Sequence, residues 1–284
     1  MSEAITAGQI AFVADLAESA GAGLRRRFRT PRETLELDYK GPRDLVTVAD
    51  RESEAIIVAG LRRGFPDCAI LSEEASPQLA IEWDGNESFW IVDPLDGTTN
   101  FAHGFPFFSV SIAWWHAGRV RAGVIHAPMQ HETFWAIEGQ GSHARWRGCE
   151  HPERLVATTE NRLDHALLAT GFSYRRREVE EGALASFADL LANAREIRRG
   201  GSACLDLAYT AAGIFGGFWE YHLQPHDTAA GALLVTEAGG RVTDVAGGAD
   251  YVFGGSIVAA GPSLHPQILG RLRTGPRHPG RSRP

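Results

Sequence analysis

Residues 90–101 read WIVDPLDGTTNF. Trp90, Ile91 and Val92 are uncharged strand formers, so the stretch begins as a buried strand. It then turns polar, with Asp93, Asp96, Gly97, Thr98 and Thr99 close together. Asp-Gly and Pro are turn punctuation, so the plainest reading is a loop. The other acids of the chain decide whether this loop does more.

Glu73 and Glu74 follow a second short apolar run, CAIL at 68–71. In DLVTVAD (44–50), Thr47 reads as a helix N-cap and Asp50 falls in the first turn, with the helix continuing over 55–61. Asp227 follows Pro225 at the start of a small-residue helix over 227–238, which Gly239 ends. Each acid has a purely structural reading as a solvated strand end, a cap or a dipole partner. Together they point elsewhere. Loops leaving the ends of buried strands build sites in sheet proteins, and clustered carboxylates repel unless a cation joins them. On this reading the donors are all hard oxygens, which favours Mg²⁺ over zinc or copper. Gly97, Thr98 and Thr99 offer backbone N–H groups and a hydroxyl for an anion. Metal carboxylates beside an anion-binding turn suit phosphate-ester hydrolysis.

The remaining sequence frames this site. Residues 5–28 repeat apolar positions at helical spacing, and 181–195 also read as helix. Segments 107–115 and 119–137 alternate like antiparallel strands, with turns at Ala117-Gly118 and near Pro128. EGQGSHARWRG (138–148) reads as a glycine-containing loop. The 284 residues carry a formal net charge of −7, which argues against non-specific nucleic-acid binding. Three scattered cysteines, Cys68, Cys149 and Cys204, fit neither a zinc site nor a disulfide framework. No apolar run approaches the roughly 20 residues of a membrane span. The opening MSEAITAGQ lacks a basic stretch before an apolar core, so the expectation is a cytoplasmic chain without a secretory leader. The Arg- and Pro-rich end, 271–284, is expected to be disordered.

WIVDPLDGTTNFAHGFPFFSVSIA (90–113) resembles the signature of the inositol monophosphatase family. DLVTVAD, ILSEE, RRGGSACLDLAY and PHDTAAGALLVTEAGG are similar to further blocks of that family, in the same order. The resemblance implies an α+β fold, a five-layer αβαβα sandwich of the sugar-phosphatase type. It implies one phosphatase domain over 1–270, with lobes of about 1–150 and 151–270. It further implies two or three Mg²⁺ ions per site, lithium sensitivity and a homodimer. Carried over by motif, Glu73, Asp93 and the Leu95 carbonyl would hold one Mg²⁺, and Asp93, Asp96 and Asp227 a second. A third, weaker ion would sit on Glu73. Asp50, Thr98 and Glu73 would activate water. Gly97, Thr98 and Asp96 would face the phosphate, and Gly201, Ser202, Ala203 and Glu220 the leaving group. The expected substrate is a small phosphorylated polyol, myo-inositol monophosphate foremost. Histidinol phosphate, fructose 1,6-bisphosphate and adenosine 3′,5′-bisphosphate are alternatives, and a role through a protein partner is a less favoured one. The chain departs from the family pattern at His226, where a Trp is usual. Lys40 stands one residue out of the usual spacing and is left out of the catalytic set.

Overall fold

The computed structural model describes residues 5–30, 38–41, 44–74, 86–172 and 181–273. Helix α1 (Ala7–Arg27) starts at a Thr6–Gln9 capping box. Strands β1 (Asp38–Gly41) and β2 (Asp44–Val46) form a small antiparallel pair. Helix α2 (Val48–Gly64) starts at Thr47, as its sequence predicts. There follow β3 (Ala69–Ser72), β4 (Ser88–Asp96), the short α3 (Thr98–Ala102), β5 (Ser109–His116), β6 (Arg119–Ala127), β7 (Glu132–Ile137), β8 (Gly141–Arg145) and β9 (Glu153–Arg154). The second half contributes β10 (Leu167–Thr170), α4 (Glu181–Asn193), β11 (Glu196–Arg198), α5 (Ala203–Ala211), β12 (Gly217–Tyr221), α6 (Pro225–Glu237), β13 (Arg241–Thr243), β14 (Ser256–Ala260) and α7 (His265–Leu269).

Strands β3 to β9 make one sheet in sequential order. Only its β3–β4 pair is parallel. The second sheet runs β11-β10-β12-β14-β13. Three apolar cores stack these elements into five layers. Helices α1 and α2 cover the outer face of the large sheet. Helices α5 and α6 fill the space between the sheets. Helices α4 and α7 cover the outer face of the small sheet, through Phe187, Leu190, Leu264 and Ile268. The expected αβαβα sandwich is therefore present.

This layering explains the uninterrupted apolar run of β4. Trp90 and Val92 point into the α1/α2 core, and Phe89 and Ile91 into the core between the sheets. A strand buried on both faces has no polar alternation. The strand also runs further than its sequence suggests. It passes Asp93 and pairs Asp96 with Ser109 across a bulge. Pro94 is accommodated there because bulges tolerate a residue with no N–H to donate.

Two expectations are corrected. Segment 138–148 is not a loop throughout. Gly139 and Gly141 adopt positive φ (75° and 84°), make a tight turn and launch β8. Ser142 and Ala144 then alternate inward, and Trp146 packs edge-on against Phe134. The short run carries too few apolar residues for its period to be read. Disorder from 271 onward is also too early a boundary. Leu272 is buried, and the Arg273 N–H donates to Ser186 Oγ at 2.8 Å. The rest of that segment, 274–284, lies outside the described residues.

Helix α6 crosses the large sheet on a face of small residues. Gly123 of β6 lies under Ala230, and a Cβ placed there would stand 2.8 Å from the Ala230 Cα and 3.1 Å from its Cβ. Backbone would have to move, since interiors are close-packed. Gly123→Ala should therefore cost about 1–3 kcal/mol, read as a lower denaturant midpoint at unchanged m-value. Gly8→Ala, where nothing lies within 4 Å, should be neutral or slightly stabilising. Equal effects of the two would show that the approach of α6 to the sheet is not tight.

Candidate active site

The parallel pairing of β3 with β4 aligns Ser72 with Val92. The Glu73 N–H continues the ladder by donating to the Val92 carbonyl at 3.2 Å. Glu73 and Asp93, each one residue further on, thus emerge side by side at one sheet rim. Helix α2 aims its first turn there. Ser53 Oγ donates to the Pro94 carbonyl at 2.6 Å. Glu54 accepts from Ser72 Oγ and from the Glu74 N–H, the latter at 3.2 Å. Asp50, Ser53 and Glu54 share one helix face at i, i+3 and i+4, and that face fixes the 72–74 segment. Glu74 takes part through its backbone and does not join the potential metal-holding groups among the described residues.

Asp50 is fully buried as the N3 partner of the Thr47 cap. The Thr47 N–H and hydroxyl both donate to its Oδ2, at 2.8 and 2.6 Å. The Thr98 hydroxyl lies 3.1 Å from Asp50 Oδ1 and 3.0 Å from the Leu95 carbonyl, with either as its acceptor. Burial raises the Asp50 carboxyl to about 6, against the Thr47 bonds that lower it. A carboxyl at that value is suited to taking a proton near neutrality.

Asp93 is 2% exposed. Its Oδ1 accepts the Leu95 N–H at 3.0 Å. Burial, then the charges of Glu73, Asp96 and Asp227, push its carboxyl well above the usual range. Asp96 Oδ2 accepts from Ser202 Oγ (2.5 Å), the Cys204 N–H (2.8 Å) and Ser109 Oγ (3.3 Å). Burial still raises it. Asp227 sits at N3 of α6, its Oδ2 accepting the Gln224 N–H at 2.6 Å. It is raised to about 6, by burial first, with His226 acting in the opposite sense.

Gly97, at φ 92°, lies where a Cβ would meet the carbonyls of Phe107 (3.1 Å) and Gly201 (3.2 Å). This close approach joins the 97–98 turn to segment 200–203. Asn100 reinforces it, donating from Nδ2 to the carbonyls of Phe107 (2.6 Å) and Gly200 (2.9 Å). Ser202 caps α5 and brings Ala203 and Cys204 beside Asp96. Glu220, on β12, is buried and raised to about 8 by burial and then by Asp227, with Arg199 lowering it. Its carboxylate lies against Gly171, where a Cβ would collide with it.

Every sequence-predicted site residue is therefore placed on one continuous patch, through these contacts and mutual charges. Sequence reasoning missed several others. Asn100 ties the two turns, and Ser109 shares the Asp96 carboxylate with the predicted Ser202. Asp206 is buried beside this side of the patch, with no hydrogen-bond partner at Oδ1. Burial and then Glu220 hold its carboxyl well above the usual range. Two side chains near the acids carry donors other than oxygen. Donor atoms of Glu73, Asp93 and His226 lie within 4.8 Å of one another, as do those of Asp93, Asp96 and Cys204. The signal for His226 was in the sequence, as the departure from Trp beside Asp227, but its side-chain direction was not.

A family model described as the inositol monophosphatase family matches residues 8–276. The chain is 39% identical over 257 residues to the Nus factor SuhB of Salmonella typhimurium, covering 90% of this chain and 92% of that protein. It is 40% identical over 239 residues to the Pseudomonas aeruginosa protein of the same name, covering 84% and 86%. Among solved structures, the extragenic suppressor protein SuhB of Bartonella henselae superposes with a TM-score of 0.85 at 38% identity, over 95% of this chain and all of that one. The Thermotoga maritima IMPase gives 0.78 at 32%, over 93% and 96%. The chain belongs to the inositol monophosphatase family.

Proposed function

We propose that this chain hydrolyses small phosphate monoesters, with myo-inositol monophosphate as the first candidate, in a Mg²⁺-dependent reaction. One observation carries the reading: Glu73, Asp93, Asp96 and Asp227 converge, largely buried, next to the hydrogen-bonded Thr98–Asp50 pair. The donor set fits a divalent cation. Asp93 is burdened by burial and by three neighbouring acids, and such a cluster gains most from a positive ion. Glu73, Asp93 and the Leu95 carbonyl would hold one ion, and Asp93, Asp96 and Asp227 another. Bound Mg²⁺ would neutralise phosphate charge and make a bound water more acidic.

The chain's own groups supply the rest. Thr98 Oγ1, within reach of both Asp50 and the Leu95 carbonyl, would orient the attacking water. Asp50 would receive its proton. Backbone N–H groups of Gly97 and Thr98 would take phosphate oxygens. Segment 201–203 and Glu220 would face the alcohol, where a carboxylate accepts hydrogen bonds from ring hydroxyls. Phosphate release from inositol, histidinol, fructose and adenosine phosphates, with Mg²⁺ present, tests the substrate directly. A clear preference for one of the alternatives over the inositol ester would replace the substrate proposed here.

The name Nus factor carried by the relatives favours a second role, binding of a partner in a transcription complex. Capture of that partner by a catalytically dead variant would separate this role from catalysis.

Three outcomes follow from the site. Asp93→Asn should lose nearly all turnover while keeping the fold, because removing one acid relieves repulsion in the metal-free protein. A wild-type rate, or full wild-type activity in excess chelator, would refute the assignment. Thr98→Ala keeps every proposed metal carboxylate and should lower kcat about 10- to 100-fold, more than it raises KM. An unchanged kcat with a raised KM would reduce Thr98 to a binding role.

The third outcome concerns stability. Asp50 and Asp227 are raised from 3.8 to about 6, and Glu220 from 4.5 to about 8. The metal-free folded state therefore holds protons that the unfolded chain has released. This contribution is present in full below the unfolded values and is lost as pH rises through the folded ones. The Tm gap between Mg²⁺-loaded and metal-free protein should widen from about pH 5 to about pH 8. A gap that narrows over that window would contradict the proposed site.

A further inference from the structure

The proposed metal reading leaves the His226 side chain unused. His226 lies at N2 of α6, directly before Asp227, with its imidazole between two acids of the site. Its Nε2 is 4.0 Å from Glu73 Oε2 and 3.9 Å from Asp227 Oδ1. These separations exceed hydrogen-bond length. The Glu73 separation matches donors that share an ion. Two atoms each about 2.1 Å from one cation stand roughly 3 Å apart at right angles and about 4.2 Å apart when opposed. The Asp93 carboxylate completes the group within 4.8 Å. The His226 carbonyl is already engaged, accepting from Cys204 Sγ at 3.6 Å, and α6 fixes the backbone that carries the ring.

We infer that His226 is a metal ligand of this chain, giving the ion on Glu73 and Asp93 an imidazole nitrogen beside its oxygens. The inference rests on the metal reading above and goes beyond it in naming the ion's class. An all-oxygen site suits Mg²⁺, which binds nitrogen poorly. One neutral imidazole shifts preference toward borderline divalent ions such as Mn²⁺, Co²⁺ and Zn²⁺. The ion on Asp93, Asp96 and Asp227 keeps its oxygen ligands and its fitness for Mg²⁺. The two positions of one site thus differ in chemistry. Cys204, the other soft atom of the cluster, is not assigned this role. Its thiol is engaged by the backbone, donating to the carbonyls of Asp227 at 3.4 Å and His226 at 3.6 Å.

Pulsed electron paramagnetic resonance of the Mn²⁺-loaded protein tests this without reference to turnover. Wild type should show nitrogen modulation from a directly bound imidazole, altered by isotopic labelling of histidine. His226→Gln should lose that modulation and still bind Mn²⁺. In equilibrium dialysis the same variant should bind Zn²⁺ at least about tenfold more weakly, with Mg²⁺ affinity little changed. His226→Trp restores the residue usual in the family and should behave likewise if the Gln variant folds poorly. Mn²⁺ bound without nitrogen modulation would overturn the inference and leave the metal reading standing. So would tighter Mn²⁺ binding by His226→Gln, since the imidazolium would then be a competitor of the ion. No Mn²⁺ binding by wild type would overturn both.

Discussion

The repulsion among Glu73, Asp93, Asp96 and Asp227 is the constraint on which the rest of this structure depends. Burial is the largest cause raising the carboxyls of Asp93, Asp96 and Asp227, and neighbouring acids add to each. Such an arrangement opposes folding when it is ionised. It persists because the acids lie at the ends of elements whose packing is settled elsewhere. Strand β4 is held by a core on each face. Helices α2 and α6 are pinned by apolar contacts far from their charged first turns. The site draws on stability from three cores and returns none until its charge is compensated.

Precision at the rim comes from close approach more than from charge pairing. Helix α6 can sit near the large sheet because Gly123 and Ala230 allow it, and against α5 because Gly231 faces Leu207. Gly97 lets its turn meet the carbonyl of Gly201. Asn100 then bonds to segment 200–201 and to Phe107. None of these contacts touches a candidate metal carboxylate. All of them fix where those carboxylates stand relative to the 97–98 turn.

Much of this was legible in the sequence, for identifiable reasons. Thr47 and Asp50 were read from cap chemistry, which is local and makes the same box in space. The apolar run of β4 and its acidic end were read from composition alone. The alignment of Glu73 with Asp93 needed only two neighbouring strands ending at one rim, and β3–β4 pairing provides them. What stayed hidden was long-range or directional. Ser202 and Asp96 are 106 residues apart. No local pattern brings Asp206 beside Glu220. Strand β8 was missed because its two inward residues, Ser142 and Ala144, are too small to mark a period. His226 was noted as unusual, but a helix position does not by itself say where an imidazole points.

The groups proposed for the metal and for the alcohol come from different parts of the fold. The carboxylates proposed for metal come from β3, β4 and the start of α6. Asp50 and Thr98 come from elements next to β4. That half would serve any phosphate ester. The groups proposed to face the alcohol come from the other side: segment 201–203 and Glu220 of β12, in the small sheet. There the charges acting on Glu220 are Asp227, Arg199 and Asp96, and Glu220 in turn acts on the buried Asp206. Glu220 is raised to about 8 by burial first and then by the charge of Asp227, so a cation held at Asp227 would act on it too. The half proposed to face the alcohol is thus electrically coupled to the proposed metal half through Asp227. On the proposed reading, with His226 beside that same aspartate, the identity of the ion and the recognition of the alcohol would not be independent variables.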